Sequence, residues 1–319
     1  MLARQQVGLA SCTLGEVKNR ADLIIIWGAN PMESHMRHFR KFSAASRGMY
    51  IPEGRKGRKV VVIDVRPTAS SRMADIFLQV TPGHDFEIAS VLRAMLKGLK
   101  LEGLDEESLV GGVALSRWRE LLELVKKSRY GVILYGIGLT QSRGKDLNLE
   151  QVITLVNEIN RTARFCIMPM RGHANVNGSN QVLTWQTGYP FAINYNRGYP
   201  RFNPGEFSVV DMLKRKDIDA ALIVATDPGA HLPQFALRYL QSVPTILLEP
   251  TITLSTSWAN VVIPVAPAGV GAAGTYYRMD NVPLRLKKIV DFPYPSDVEV
   301  LQAIKERVRH AKNHKRAGL

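Results

Sequence analysis

Short apolar runs rich in β-branched residues recur along the chain, at 23–27, 60–64, 76–80, 132–135, 165–168, 220–225, 245–249 and 261–265. They are bounded by Gly, Pro, Asp or Asn, which predicts short strands. Between several of them lie helical patterns, at 85–99, 116–128, 149–161 and 234–241. Strands alternating with helices predict parallel α/β sheets whose strands are buried on both faces, in two such layers. Residues 187–204 are rich in Gly, Pro, Asn and Tyr and cannot continue a helix or strand for long; so long an irregular segment reads as a functional loop or a domain crossing. A Pro-interrupted stretch at 291–296 leads into a predicted helix at 297–312 and a basic end.

The chain has 319 residues and 45% hydrophobic content, long enough for two domains of ordinary size. Its longest apolar runs fall far short of the ~20 residues a membrane helix needs, and no basic segment followed by a long apolar stretch opens the sequence. These features predict a cytoplasmic protein without a membrane span. Cys12 and Cys166 are the only cysteines and neither belongs to a Cys-x-x-Cys pair. The chain therefore cannot supply four thiolates to a zinc or iron–sulfur site, no disulfide framework is expected, and both thiols read as small core residues. A formal charge of +14 would draw any polyanion, including phosphate-rich cofactors and acidic partners. The basic clusters at 55–59 and 307–316 read as solvated faces; no nucleic-acid-binding signature accompanies them, so nucleic acid is not an expected partner.

Candidate chemistry collects at strand ends. The run 21–27 closes in Gly28-Ala29-Asn30-Pro31, where Gly28 permits close backbone approach and the Asn30 amide can read a ligand; an ordinary strand-to-loop turn would look the same. The next strand delivers Asp64 and Arg66, with Ser70 and Ser71 beyond. There a carboxylate can accept hydrogen bonds from a ribose or purine and a guanidinium can clamp a phosphate, or the two can form a strand-end salt bridge. Pro82-Gly83-His84-Asp85 then opens a helix. Two such ends suggest dinucleotide binding, yet no Gly-x-Gly-x-x-Gly is present, which disfavours a nicotinamide dehydrogenase. A third strand opens into the Gly-rich loop Gly136-Ile137-Gly138-Leu139-Thr140-Gln141. After strand 165–168 comes Pro169-Met170-Arg171-Gly172-His173-Ala174-Asn175-Val176-Asn177-Gly178. The planar guanidinium of Arg171 can hold a small carboxylate or stabilise developing negative charge, or it can pair with a cofactor phosphate.

In this order the segments resemble the molybdopterin oxidoreductase superfamily, whose formate-dehydrogenase-like members carry an Arg-Gly-x-x-Asn-Val-x-Gly signature. Ala225-Thr226-Asp227-Pro228, Ser257-Trp258-Ala259-Asn260-Val261-Val262-Ile263-Pro264 and Gly274-Thr275-Tyr276 follow in the same order. Within that superfamily the run from Cys12 to Asp22, and the loop after Asn30-Pro31, look most like the B-type subunits of formylmethanofuran dehydrogenases. The resemblance implies an α/β chain of two Rossmann-like domains with mainly parallel sheets, as in formate dehydrogenase and DMSO reductase. The expected domains are 1–172 and 173–290, with a C-terminal extension at 291–319. It implies two molybdopterin guanine dinucleotides holding one tungsten or molybdenum, and interconversion of carbon dioxide and formate in methanogenesis. Arg171 matches the family's catalytic arginine, and His173 beside it is a second catalytic candidate, with a hydrogen-bonded structural group as its alternative reading. Gly28, Asn30, Pro31, Asp64, Arg66, Gly83, Asp85, Gly136, Gly138, Thr140, Gln141, Gly172, Asn175, Asn177, Gly178, Asp227, Pro228, Gly274 and Thr275 fall on cofactor-binding positions.

One part of the family pattern is not matched. Its Cys or selenocysteine metal ligand, in a segment like Cys-His-Gly-Pro-Ser, and the cysteines of its [4Fe-4S] cluster would precede the region matching residues 2–8, and Cys12 falls downstream of the ligand position. No residue of this chain is therefore expected to ligate the metal, and the expectation is that Met1 is internal to a longer reading frame. Formate dehydrogenases usually continue into a C-terminal barrel domain. In formylmethanofuran dehydrogenases that barrel domain is a separate, D-type subunit. Together with an amidohydrolase-like, A-type subunit, a C-type subunit and ferredoxin-like subunits, it makes up the expected partners. The competing readings are a formate-dehydrogenase-like catalytic chain and a non-catalytic scaffold subunit of the same superfamily.

Overall fold

The computed structural model describes residues 7–317, with side chains to residue 313. The flank of the expected metal-ligand segment at residues 2–6 lies outside the described residues. Five strands, β1 (Leu23–Trp27), β2 (Lys59–Asp64), β3 (Ile76–Gln79), β4 (Gly131–Tyr135) and β5 (Phe165–Pro169), form one parallel sheet in the order β3-β2-β1-β4-β5. Every residue of β1 and β4 is buried. Alternate side chains explain why the apolar pattern is continuous. Leu23, Ile25, Trp27, Val61 and Ile63 face helices α2 (Asp85–Leu96), α3 (Leu115–Lys127) and α4 (Lys145–Ile159), whereas Ile24, Ile26, Val60 and Val62 join a second core with Leu14 and Val17 of helix α1 (Leu14–Arg20). The α2 pattern predicted to reach residue 99 stops at Leu96, and Gly98 there takes a left-handed φ of 70°, the usual glycine exit from a helix.

The chain divides into two compact units: one runs to Ala174 and takes back Met279–Val282, and the other comprises Asn175–Arg278 and the chain from Pro283 onward. The second unit holds helices α5 (Val176–Thr187), α6 (Val209–Arg215) and α7 (Gln234–Leu240) and strands β6 (Ala221–Val224), β7 (Thr245–Glu249) and β8 (Val261–Pro264), which form a parallel sheet in that order. Strands β9 (Gly274–Tyr277) and β10 (Pro283–Leu286) make an antiparallel hairpin. Helix α8 (Asp297–Ala317) closes the chain. The α/β class and the predominantly parallel sheets are as the sequence predicts. Among the described residues, the irregular segment 187–204 forms strand pairs only between Ile193–Asn194 and Arg201–Phe202, and Tyr189 stacks on Phe202 with ring centroids 5.1 Å apart.

Candidate active site

In a sheet of this order, the chain turns in opposite directions from the carboxyl ends of β1 and β4, which leaves a crevice there. The glycines shape it. Gly28 has φ 58° and donates its N–H to the Ile63 carbonyl at 2.9 Å, while Gly136 N donates to the Trp27 carbonyl and Gly138 N to the Gly28 carbonyl, both at 3.0 Å. A Cβ on Gly28 would lie 2.6 Å from the Leu139 nitrogen, one on Gly138 would lie 2.8 Å from the Gly28 oxygen, and one on Gly136 would collide with that same oxygen. The glycine requirement is thus the touching of two loops. With the end of β2 and the start of α2, these loops line an open cleft of about 260 Å³ that brings together Gly28, Asp64, Gly83, Asp85, Gly138 and Gln141. Arg66, on the exposed turn after β2, and Thr140 lie outside its lining.

Two carboxylates in this cleft differ in availability. Asp85 is buried; its Oδ1 accepts from Trp27 Nε1 and its Oδ2 from Ser142 Oγ, both at 2.8 Å, so it fastens α2 to the loop after β4. Burial pushes the Asp64 carboxyl above its ordinary pKa, against the opposing pull of the Val65 and Arg66 backbone N–H groups, and it faces the cleft with acceptor capacity for a ligand. At the rim, the Arg143 side chain lies 3.2 Å from where a Gly83 Cβ would be. Sequence reasoning missed this cation, although it stands two residues beyond Gln141.

The two units share one device. In the first, Asn30 Oδ1 accepts from Ser70 Oγ (2.8 Å) and Ser70 N (3.2 Å), and Ser70 Oγ accepts from Met32 N (3.1 Å). In the second, Asp227 Oδ1 accepts from Ser255 Oγ (2.6 Å) and Ser255 N (3.0 Å), and Ser255 Oγ accepts from Gly229 N (2.9 Å). Both serines are fully buried. Pro31 and Pro228 each open a one-turn helix after the lock. Ala225, with φ 48° and its N–H on the Leu248 carbonyl at 2.9 Å, repeats the geometry of Gly28. Glu249 repeats Asp64 at the end of the neighbouring strand, its pKa likewise raised, chiefly by burial. The Ser255 hydroxyl is foremost in holding the Asp227 carboxyl below its ordinary pKa. Beside this lock, Thr253 Oγ1 is buried with no hydrogen-bond partner.

Arg171, Gly172 and His173 follow β5 on a turn where His173 takes a positive φ of 60°. His35, on the loop after β1, reaches this turn: its Nε2 lies 2.8 Å from the Arg171 carbonyl oxygen and its Nδ1 2.8 Å from Ser34 Oγ. Sequence reasoning missed His35, which stands five residues beyond Asn30. In the second unit, Asn175, left-handed at φ 57°, accepts from Tyr277 N at 2.8 Å and donates to the Thr275 carbonyl at 3.0 Å; Asn177 donates to the Arg278 carbonyl at 2.7 Å. These amides tie α5 to the β9 strand, and a Cβ on Gly178 would collide with the Asn175 side chain. Gly172 and Gly274 differ: a Cβ on either meets nothing within 4 Å, so the chain itself sets no demand for glycine there.

Comparison with known proteins gives concordant results. Residues 4–294 match the family model described as molybdopterin oxidoreductase. The chain is 46% identical over 311 residues to the B subunit of the tungsten-containing formylmethanofuran dehydrogenase 2 of Methanocaldococcus jannaschii, covering 97% of this chain and 71% of that protein. It is 41% identical over 314 residues to the protein of the same name from Methanococcus maripaludis, covering 98% and 71%. A chain of the formyltransferase/hydrolase complex from Methylorubrum extorquens, solved with methylofuran, superposes with a TM-score of 0.76 at 21% identity, over 97% of this chain and 81% of that one. Among the described residues no helix is long and apolar enough to cross a membrane.

Proposed function

This chain belongs to the molybdopterin oxidoreductase family, and from that premise we propose that it is the cofactor-holding core of the B-type subunit of a formylmethanofuran dehydrogenase, interconverting carbon dioxide and formate in the cytoplasm. The observation that carries the reading is the strand-end lock built twice, Asn30 with Ser70 and Asp227 with Ser255. One such end in each unit suits two copies of one extended cofactor, and we assign a pterin guanine dinucleotide to each. The residues present fit that group. Asp64 offers a partly desolvated acceptor, Thr253 Oγ1 lacks a partner, and Gly172 and Gly274 leave open space where a Cβ would sit. A cleft of about 260 Å³, below the ~300–1,000 Å³ of a site that encloses a whole ligand, takes one end of such a molecule.

When bound, the tungsten or molybdenum held by the pterins would supply the two-electron chemistry. The chain's own residues bind and orient. Asp64 accepts from ribose or guanine N–H and O–H donors, and Arg143 at the rim can balance phosphate charge. The Arg171 guanidinium presents parallel donors to a carboxylate, which fixes formate and stabilises charge gathering on the oxygens of carbon dioxide. His35 positions the turn that carries Arg171. The partners are the other members of such a complex: the barrel-domain, the amidohydrolase-like, the C-type and the ferredoxin-like subunits. No described residue is assigned as a ligand to the metal or to a [4Fe-4S] cluster.

The test is composition followed by turnover. The chain co-purified with its partner subunits should release two guanine nucleotides per tungsten or molybdenum on acid hydrolysis. Arg171→Lys should keep that content while formate turnover falls roughly 10²–10³-fold, the scale of losing one aligned donor. A preparation without guanine nucleotide would overturn the cofactor assignment, and undiminished turnover in Arg171→Lys would overturn the role of Arg171.

A further inference from the structure

Cys12 and Cys166 are the chain's only cysteines. Although far apart in sequence, they meet in the fold. Ile167 N donates to the Ala10 carbonyl at 2.8 Å, so the segment leading into α1 runs alongside β5 and sets Cys12 beside Cys166. Both side chains pack in the core on the α1 face of the sheet, Cys12 fully buried and Cys166 partly exposed. The Tyr130 hydroxyl lies 3.2 Å from Cys166 Sγ. Each thiol is the first influence on the other's ionisation. Hydrogen bonds from Cys12 and then Tyr130, opposed by burial, bring Cys166 down to about 7, while the same contact and burial push Cys12 far up. Two inert core thiols need none of this; an exchange-active pair needs one accessible thiolate and one protonated neighbour.

We propose that Cys12 and Cys166 form a reversible disulfide in the folded protein, Cys166 attacking and Cys12 resolving, by exchange with a small-molecule disulfide. The Cys166 thiolate bonds to one sulfur of the reagent, whose S–S bond breaks and releases one thiolate. Cys12 then gives up its proton, bonds to Cys166 Sγ and displaces the second half. Two protein thiols are oxidised, the reagent is reduced to two thiols, and the two protons end on them. The bridge joins the segment before α1 to the strand whose carboxyl end leads to Arg171, so it restrains that strand from its amino-terminal half. This goes beyond the proposed function and does not rest on it.

The experiment uses the full chain, purified without oxygen and incubated at neutral pH with oxidised glutathione, then acid-quenched, alkylated and peptide-mapped. The expected product has lost two hydrogens, links the Cys12 peptide to the Cys166 peptide, melts at a higher temperature than the reduced chain, and reverts with dithiothreitol. In Cys12→Ser, Cys166 should keep one glutathione as a stable mixed disulfide; in Tyr130→Phe, the first step should slow several-fold below pH 7. The proposal is overturned if glutathione stays on Cys166 of the unsubstituted chain, if one cysteine is blocked while the other still alkylates, or if neither reacts while the chain is folded.

Discussion

Removing the Asp85 carboxylate tests how the crevice between β1 and β4 is held open. Its two oxygens each accept one bond at 2.8 Å, from Trp27 Nε1 and Ser142 Oγ, and the residue is 7% exposed. Hydrogen bonds to a charged group contribute about 1.5–3 kcal/mol each, and an acidic residue in the first turn of α2 adds about 0.3–1 kcal/mol through the helix dipole. In Asp85→Ala the indole N–H of Trp27, itself 1% exposed, is left without an acceptor. Relief of the carboxylate's own burial offsets part of the loss, so the net destabilisation should be about 3–5 kcal/mol. Asp85→Asn keeps an acceptor for Trp27 but loses the charge, and should cost about half as much. The assay is urea unfolding of the full chain, followed by tryptophan fluorescence and by protection of amides in α2 and β1. An Asp85→Ala chain within about 1 kcal/mol of the parent would refute the reasoning, because it would mean that the two bonds are geometric coincidences.

Other outcomes follow from the same structure. Gly28→Ala places a Cβ 2.6 Å from Leu139 N at a left-handed φ, and should lower the urea midpoint by the equivalent of at least ~2 kcal/mol; an unchanged midpoint would show that the two loops can part freely. Burial, followed by the charge of His35, lowers the His38 pKa from 6.5 to about 4. The folded state then binds fewer protons than the unfolded one between these values, so stability falls as pH drops from about 6.5 towards 4, by up to about 3 kcal/mol. His38→Gln should flatten unfolding midpoints measured across that window, and a parallel slope in parent and variant would exclude His38 as the source. Asp227 has its pKa depressed, first by Ser255; its stabilisation is present above the ordinary carboxylate pKa and lost as pH falls through the depressed value. Ser255→Ala should remove that acid-side step from thermal melts of the second unit. His35→Ala should raise hydrogen exchange at residues 171–174 several-fold while leaving the melting temperature nearly unchanged, since the two bonds lost, to the Arg171 carbonyl and to Ser34 Oγ, are partly buried and exposed respectively; a turn that exchanges as before would show that His35 does not position it.

The parallel strands were legible in the sequence because both faces of each sheet carry apolar residues, so a run such as 23–27 announces itself without alternation. Helix α1 was not, since seven residues cannot show a period; its signal was the capping box, Thr13 Oγ1 accepting from Glu16 N and Glu16 Oε2 from Thr13 N. Helix α5, Val176–Thr187, has few apolar residues to repeat and is held instead by Asn175 and Asn177 on backbone partners a hundred residues away. The same separation governs the site. Strand ends and glycines could be found locally, whereas the partners of Asn30, Asp85, Asp227 and Arg171, and the meeting of Cys12 with Cys166, depend on which loops the sheet order brings together.

The repeated lock shows why residue identity alone was a poor guide. Gly28 and Ala225 stand at equivalent left-handed positions, φ 58° and 48°, yet only glycine adopts that conformation without strain. The turn at Ala225 therefore costs about 1–2 kcal/mol that the turn at Gly28 does not. What offsets it is the ionised partner: Asp227 accepts three bonds, from Ser255 Oγ, Ser255 N and Leu254 N, where Asn30 accepts two from Ser70. Charge-assisted bonds contribute about 1.5–3 kcal/mol each against about 1 kcal/mol for neutral ones, so the carboxylate more than covers the strain. The amide of the first unit, with its unstrained glycine, has no such cost to overcome. Two different tetrapeptides, Gly-Ala-Asn-Pro and Ala-Thr-Asp-Pro, thus reach one geometry by different balances of backbone strain and hydrogen bonding.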